Sequence, residues 1–427
     1  MREAMDENTQ LKTKEDVSHE KGGNKTMKRR EFIGKSAFGL FTTGVGIPLL
    51  KAKPVQENTS YKLIYRTLGR TNLRIPIVSF GVMNTDSPDL LKLALDRGIT
   101  HLDTAHVYLR GNSERVIGEV LEKEGAREKV IIATKMSFAK DRETGRFSEK
   151  GSERSPTATP ENLNNQLELS LKRLRTDYVD ILYLHNCDTP EMVQYEPMMK
   201  AFEKIKKEGK ARFIGVSFHT NEPNNIRAAV DAKIWDVLLT TYNFAQEHRE
   251  DVKKAIQYAA ENGVGVIAMK TQGGRRLQER GEIEVNHKAA LKWVLEDENV
   301  CTTIPGMTTF DQLDMNMSVM NDLALSKTEA KELNAAANLK GKLFCQNCKA
   351  CIDTCPHRVE IPDLMRSYMY VKGYGNYIQA RDTIAELPDK HGLNTCLSCS
   401  SCTASCRTGI NISSRINTLL EERLYLG

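Results

Sequence analysis

The chain has 427 residues, of which 40% are hydrophobic, and a formal net charge of +5. That length holds a large domain and a smaller one with ample core, and the composition excludes a multi-span membrane protein. Residues 1–60 contribute +3 of the charge and the remaining body only +2, so the chain carries no electrostatic footprint for nucleic acid.

Residues 1–26 are polar, lack periodicity and read as disordered. Met27-Lys28-Arg29-Arg30-Glu31-Phe32-Ile33-Gly34-Lys35 then leads into a weakly apolar run from Ala37 to Leu50, broken by Gly and Thr. A membrane span needs about 20 apolar residues, so this run reads as an export signal. The order Arg-Arg-x-Phe-Ile resembles a twin-arginine signal, which implies passage through the twin-arginine translocase and a periplasmic or membrane-associated location. Met27 is a second candidate start, and cleavage is expected near Ala52. Residues 1–55 are assigned to this leader.

From Tyr61 to Met320, strand-like and helix-like segments alternate, as in a parallel sheet with crossover helices. Leu63–Thr67 and Leu73–Pro76 read as an opening hairpin. Eight apolar strands follow, at 77–80, 101–103, 130–133, 179–183, 213–216, 237–239, 264–268 and 302–304. Leu163, Leu167, Leu171 and Leu174 lie on one face of a helix that begins with Thr159 as cap and Pro160 at its first position. Eight strands in about 250 residues predict a (β/α)8 barrel over 61–340. The alternative, a doubly wound sheet, lacks its G-x-G-x-x-G fingerprint after the first strand. Ser137–Thr159 reads as a long charged loop, either a lid or a solvated insertion. Ser326 and Glu329 predict a capped helix leading out of the barrel.

The strand ends carry the chemistry. Asp103-Thr104-Ala105-His106-Val107-Tyr108 follows the second strand, Ala133-Thr134-Lys135 the third and Leu184-His185-Asn186 the fourth. Barrel catalysis sits at C-terminal strand ends, so Asp103, Tyr108, Lys135 and His185 are expected to converge. A phenol is too weak an acid at neutral pH unless a nearby ammonium lowers its pKa. A carboxylate would hold the ammonium, and an imidazole would bind the substrate oxygen.

These runs resemble the tetrad motifs of the aldo-keto reductase family, and the resemblance covers roughly residues 62–320. It implies a carbonyl–alcohol oxidoreductase using NAD(P)H on a small carbonyl or alcohol substrate. Tyr108 would be the acid–base residue, Lys135 and Asp103 its tuning pair, and His185 the orienter. It further implies nicotinamide contacts from Asn186 and Ser217, and a cofactor-phosphate segment from Ile304 to Asn316, with Asn316 at the adenine. Members preferring NADPH carry Lys and Arg where this chain has Gly306 and Gln312. A 2′-phosphate loses its best partners there, which makes NADH credible. A barrel that has lost catalysis and serves electron transfer or binding is the competing class, and the intact tetrad speaks against it.

Eight of the ten cysteines form two C-x2-C-x2-C-x3-C runs, Cys345, Cys348, Cys351, Cys355 and Cys396, Cys399, Cys402, Cys406. That spacing suits two [4Fe-4S] clusters. Structural zinc usually takes two C-x2-C pairs, and cysteines spaced by two residues pair poorly as disulfides. The remaining two, Cys187 and Cys301, read as buried structural thiols. Residues 341–427 are therefore expected to form a small, mainly helical cluster domain, resembling the α-helical ferredoxin module. Tyr370, Tyr374 and Tyr377 on its helices are expected in its core. The likeness to two-cluster ferredoxins implies crossed ligation, Cys345, Cys348, Cys351 with Cys406, and Cys396, Cys399, Cys402 with Cys355. The spacing alone leaves uncrossed sets open. Clusters move one electron and nicotinamide moves two, and no flavin motif joins them. The clusters therefore serve either exchange with a redox partner protein or the stability of the C-terminus.

Overall fold

The computed structural model describes residues 61–273, 285–338 and 345–425. The expected leader, with the expected twin-arginine signal, and the expected boundary at 340 lie outside the described residues. Thr59–Gly427 is one compact unit.

A hairpin of β1 (Tyr65–Thr67) and β2 (Arg74–Pro76) opens it. Eight parallel strands follow: β3 (Phe80–Gly81), β4 (His101–Asp103), β5 (Ile131–Met136), β8 (Val179–Leu184), β9 (Ala211–Phe218), β10 (Val237–Thr241), β11 (Gly265–Met269) and β12 (Val300–Thr303). They pair in sequence order. Parallel bridges Val78 to Thr303 and Gly81 to Gly306 return β12 to the first strand and close the barrel.

Side chains alternate along each strand. Ile181 and Tyr183 of β8 enter the barrel interior, while Leu182 and Leu184 join the core beneath the helices. The helix Pro160–Leu174 buries Leu163, Leu167, Leu171 and Leu174, and Thr159 Oγ1 accepts from Asn162 N at 3.2 Å. The hairpin meets the N-terminal strand ends: Gly69, at φ +49°, lies so near Gly265 that a Cβ would stand 2.3 Å from its backbone nitrogen. Only glycine fits that approach. The opposite end is left for chemistry.

The loop Ser137–Thr159 folds further than expected. It contains a short antiparallel pair, β6 (Lys140–Asp141) and β7 (Arg146–Phe147). The C-terminal region is helical as expected, with helices at Ala350–Asp353, Ile361–Tyr368, Tyr377–Ala385, Leu393–Leu397 and Ile412–Glu421. It has an apolar core of its own, including Val359, Leu364, Ile384, Ile416 and Leu419.

This region sits over the C-terminal ends of the barrel strands. Asn376 donates to Asn84 Oδ1 at 2.8 Å, Asp382 pairs with Arg110 and Arg154, and Arg142 pairs with Asp363. Arg407 reaches Glu247 at 2.7 Å. Helix Ile361–Tyr368 continues into a π-helical turn, Met369–Gly373, a form common at functional sites. Tyr370 lies in that turn, and it and Tyr374 line the cavity above the barrel instead of being confined to the C-terminal core. Tyr377 is exposed. Helical spacing fixes which residues share a face, but not what that face meets.

Candidate active site

Asp103 ends β4, Lys135 lies near the end of β5, and His185 follows β8. The strands pair in register Asp103 to Ala133 and Lys135 to Tyr183. The tetrad residues therefore rise from neighbouring staves at one end of the barrel. Tyr108 begins a turn in which Leu109 (φ +49°) and Arg110 (φ +55°) are left-handed. Such backbone strain in non-glycine residues collects at functional sites, and Asp382 holds Arg110 from the C-terminal region.

Lys135 Nζ donates to Asp103 Oδ1 and to the Thr104 carbonyl in a pair almost sealed from water, 1% and 2% exposed. The ammonium stands 5.0 Å from the centroid of the Tyr108 ring, and the Tyr108 and His185 rings lie 6.1 Å apart. Burial works against both charges of the pair, lowering Lys135 and raising Asp103, and each compensates the other. Burial and then the Asp103 charge push the Tyr108 phenol up. This corrects the expectation of a phenol lowered by its neighbour, because burial, and after it the Asp103 charge, disfavours the phenolate. The proton therefore stays on Tyr108 at neutral pH.

Burial, reinforced by Lys135, Lys140, His106 and Arg366, keeps His185 neutral. Ser137 Oγ lies 2.8 Å from its Nδ1. With the hydroxyl donating there, Nε2 carries the proton and can donate to a substrate oxygen.

Of the expected cofactor residues, Asn186, Gly306 and Gln312 line the same cavity, while Ser217 and Asn316 are buried and bonded to the lining residues Asn186 and Gln272. Asn186 is left-handed at φ +60°, its N–H donates to Ser217 Oγ at 3.0 Å, and its Oδ1 is buried without a partner. Ser217 is itself fully buried. Gly306 is open: a Cβ there would meet Asn84 Nδ2 at 3.5 Å, an ordinary contact. Gln312 turns inward, and its Oε1 accepts from Thr308 N at 2.7 Å. Asn316 accepts from Gln272 Nε2 at 2.8 Å. The orphaned Asn186 oxygen and the open floor at Gly306 suit a bound nicotinamide dinucleotide.

The cysteines fall into two sets. Burial pushes the Cys351 thiol up to about 12, helped by Cys345, Cys348 and Cys406. Cys396 rises to about 11 through burial and the charges of Cys355, Cys402 and Cys399. Left-handed Asn347 and Lys349 turn the first run inward, and Asn347 N donates to Cys345 Sγ at 3.4 Å. Burial acts against the Cys406 thiolate, yet the Thr408 hydroxyl and the N–H groups of Ile410, Thr408 and Gly409 outweigh it and hold this thiol low. Among the described residues no three such side chains crowd one point as ligands of a single ion would. A cubane asks instead for sulfurs that each meet a different iron, and grouped thiols with inward amides fit it. Cys187 and Cys301 are buried, as expected.

Three cavity residues, His219, Lys270 and Arg366, escape the sequence reading, and a fourth, Tyr370, is expected there only in the C-terminal core. His219 follows β9 and Lys270 follows β11, so the strand-end rule applied to Tyr108, Lys135 and His185 could have found both. Arg366 and Tyr370 come from the C-terminal region, and no local signal pairs them with a barrel.

Residues 79–289 match the aldo/keto reductase family and residues 344–410 a 4Fe-4S dicluster domain. The L-glyceraldehyde 3-phosphate reductase of Escherichia coli O157:H7 is 27% identical over 331 residues, covering 63% of this chain and 91% of its own. The aldo-keto reductase AFTS1 of Alternaria alternata is 28% identical over 52% of this chain and 69% of its own. The holo form of aldo-keto reductase AKR11C1 from Bacillus halodurans superposes with a TM-score of 0.53 at 24% identity, covering 64% of this chain and 96% of its own. That likeness concerns the fold. The chain thus carries a region that matches the aldo/keto reductase family on a (β/α)8 barrel and a C-terminal 4Fe-4S dicluster domain, and it is an oxidoreductase.

Proposed function

We propose that the protein interconverts a carbonyl and an alcohol with NAD(P)H, outside the cytoplasm, on a barrel joined to two [4Fe-4S] clusters. One observation carries this reading: Asp103, Tyr108 and His185 line one cavity at the C-terminal strand ends of one barrel, with Lys135 paired to Asp103 beside Tyr108. A bound nicotinamide supplies the hydride; Asn186, Ser217, Gly306 and Asn316 would hold it. Tyr108 gives its proton to the carbonyl oxygen in reduction and takes it back in oxidation. His185 Nε2 donates to that oxygen and fixes the carbonyl plane. Lys135 offsets the phenolate left behind and Asp103 anchors Lys135. With no cation at Gly306 or Gln312, NADH serves as well as NADPH.

The two cysteine sets would hold the clusters, Cys345, Cys348, Cys351 and Cys406 for one and Cys355, Cys396, Cys399 and Cys402 for the other. The clusters exchange single electrons with a partner protein or brace the C-terminus. The twin-arginine order at Arg29-Arg30 supports export of the chain already folded. Arg29→Lys with Arg30→Lys should strand it in the cytoplasm on fractionation. The activity is tested by NAD(P)H oxidation with a panel of aldehydes, ketones and keto-sugars. Tyr108→Phe should lower turnover about 10²–10⁴-fold and leave cofactor binding nearly unchanged. Full turnover in that variant removes Tyr108 from the chemistry.

A further inference from the structure

The cavity that contains Tyr108 and His185 does not end at the barrel. It occupies about 1930 Å³ and reaches Arg366, Tyr370 and Tyr374 of the C-terminal region. Single ligands usually occupy roughly 300–1,000 Å³, so a second molecule has room beside a dinucleotide. The C-terminal side chains are close enough to matter there. Arg366 is among the charges that keep His185 and His219 neutral, and Tyr108 is among the groups that Tyr370 senses.

Two cationic side chains in this cavity, Arg366 and Lys270, have no hydrogen-bond acceptor among the described residues. Among the described residues Arg366 donates no hydrogen bond, and its ion partner Asp363 stands 3.6 Å away. Asp363 hydrogen-bonds Arg142 instead. Asp188 accepts from Lys140 Nζ at 3.0 Å and from His219 N at 3.3 Å. Lys270 lines the cavity and its extension towards Cys345, and among the described residues it makes no ion pair. Asp188 and one oxygen of Asp363 are thus committed to Lys140 and Arg142, so Arg366 keeps a single ion contact, at 3.6 Å to the other oxygen of Asp363, and Lys270 keeps none, its ammonium lowered to about 7 by burial and by Arg366. A partly desolvated guanidinium without acceptors is costly, and its planar fork matches a carboxylate or a phosphate.

We infer that the C-terminal region completes the substrate site, and that Arg366 with Lys270 selects a carbonyl substrate bearing a carboxylate or a phosphate ester. This rests on the carbonyl–alcohol reading above. It also gives the joining of the two regions a catalytic consequence: the barrel supplies the proton, and Arg366 of the cluster region joins Lys270 of the barrel in supplying the specificity.

The test uses the full chain with its clusters and two matched pairs of aldehydes, butanal against succinate semialdehyde and glyceraldehyde against its phosphate ester. The charged member of at least one pair should have the lower KM, by roughly 10- to 100-fold for one charge-assisted anchor. The pair that shows it identifies the anion. Arg366→Gln should erase that advantage by raising the KM of the charged members selectively over that of the neutral ones, and Arg366→Lys should restore part of it. Cluster absorbance reports that each variant is folded. Equal effects on charged and neutral aldehydes, or weakened NAD(P)H binding by fluorescence in place of weakened substrate binding, would overturn the assignment. If no aldehyde is turned over, the carbonyl reading fails alone. Calorimetry with succinate and with inorganic phosphate then decides the anion site: binding abolished by Arg366→Gln supports it, and no binding by the wild type refutes it.

Discussion

Lys135→Met would leave Asp103 as a carboxylate 2% exposed, with no cation in contact and an Oδ2 that already lacks a hydrogen-bond partner. At an effective dielectric of about 20, two charges 4 Å apart attract by about 4 kcal/mol, while desolvation costs several kcal/mol per ion. The intact pair is therefore worth little net, but breaking it strands a charge, at a cost of about 3–5 kcal/mol. Asp103→Leu alone should cost a similar amount by stranding Lys135. Combining Asp103→Leu with Lys135→Met removes both charges and should recover most of the loss, or exceed wild-type stability by about 1–4 kcal/mol. All three variants should be inactive, which would mean that the pair is kept for its chemistry and not for its stability. The assay is urea unfolding followed by far-ultraviolet circular dichroism, with cluster absorbance recorded separately so that loss of the C-terminal region is not counted with the barrel. Single variants that cost under about 1 kcal/mol, or a double variant whose cost is the sum of the two, would refute the reasoning.

Gly306→Lys should shift preference towards NADPH by roughly 10- to 100-fold, since a Cβ fits there; the companion change at Gln312 would break its bond to Thr308 N. A wild type that already strongly prefers NADPH would show that other residues hold the phosphate. Anaerobic wild-type protein should contain about eight iron and eight sulfide. Crossed ligation predicts that Cys345→Ser combined with Cys406→Ser keeps about four iron, whereas uncrossed sets would lose both clusters. Ser326 and Glu329 cap each other, Ser326 N donating to Glu329 Oε2 at 2.8 Å and Glu329 N to Ser326 Oγ at 3.2 Å. Slight burial opposes the Glu329 charge, but Ser326 and Lys292 outweigh it and hold the carboxyl at about 2, below the ordinary 4.5. Its folded pKa is depressed, so its stabilisation is present above 4.5 and is lost as pH falls from there towards 2. Acid unfolding of Glu329→Gln should lack that component, and Ser326→Ala should cost about 1 kcal/mol.

The sequence by itself determined the barrel, because strand alternation, helix caps and the eightfold count are local patterns repeated along the chain. Strand β4 has the bounds its apolar run implied, and Thr159 and Ser326 cap the helices they announce. The tetrad was legible for the same reason. Side chains at strand ends inherit their position from the strand, so Asp103, Lys135 and His185 needed no long-range information. The cysteine runs were legible because ligand spacing is local, although their grouping across about fifty residues was not. Only the tertiary structure decided what lies opposite the tetrad. Helical spacing put Tyr370 and Tyr374 on one face, but which surface that face meets depends on how the C-terminal region docks. That docking rests on scattered pairs such as Asn84 with Asn376 and Arg110 with Asp382, 292 and 272 residues apart. The protonation of the site was likewise decided in three dimensions. The Tyr108 phenol stays high because burial and the Asp103 charge oppose its ionisation, and Arg366 keeps only a 3.6 Å ion contact because Arg142 takes the other oxygen of Asp363; neither is written in the neighbouring residues.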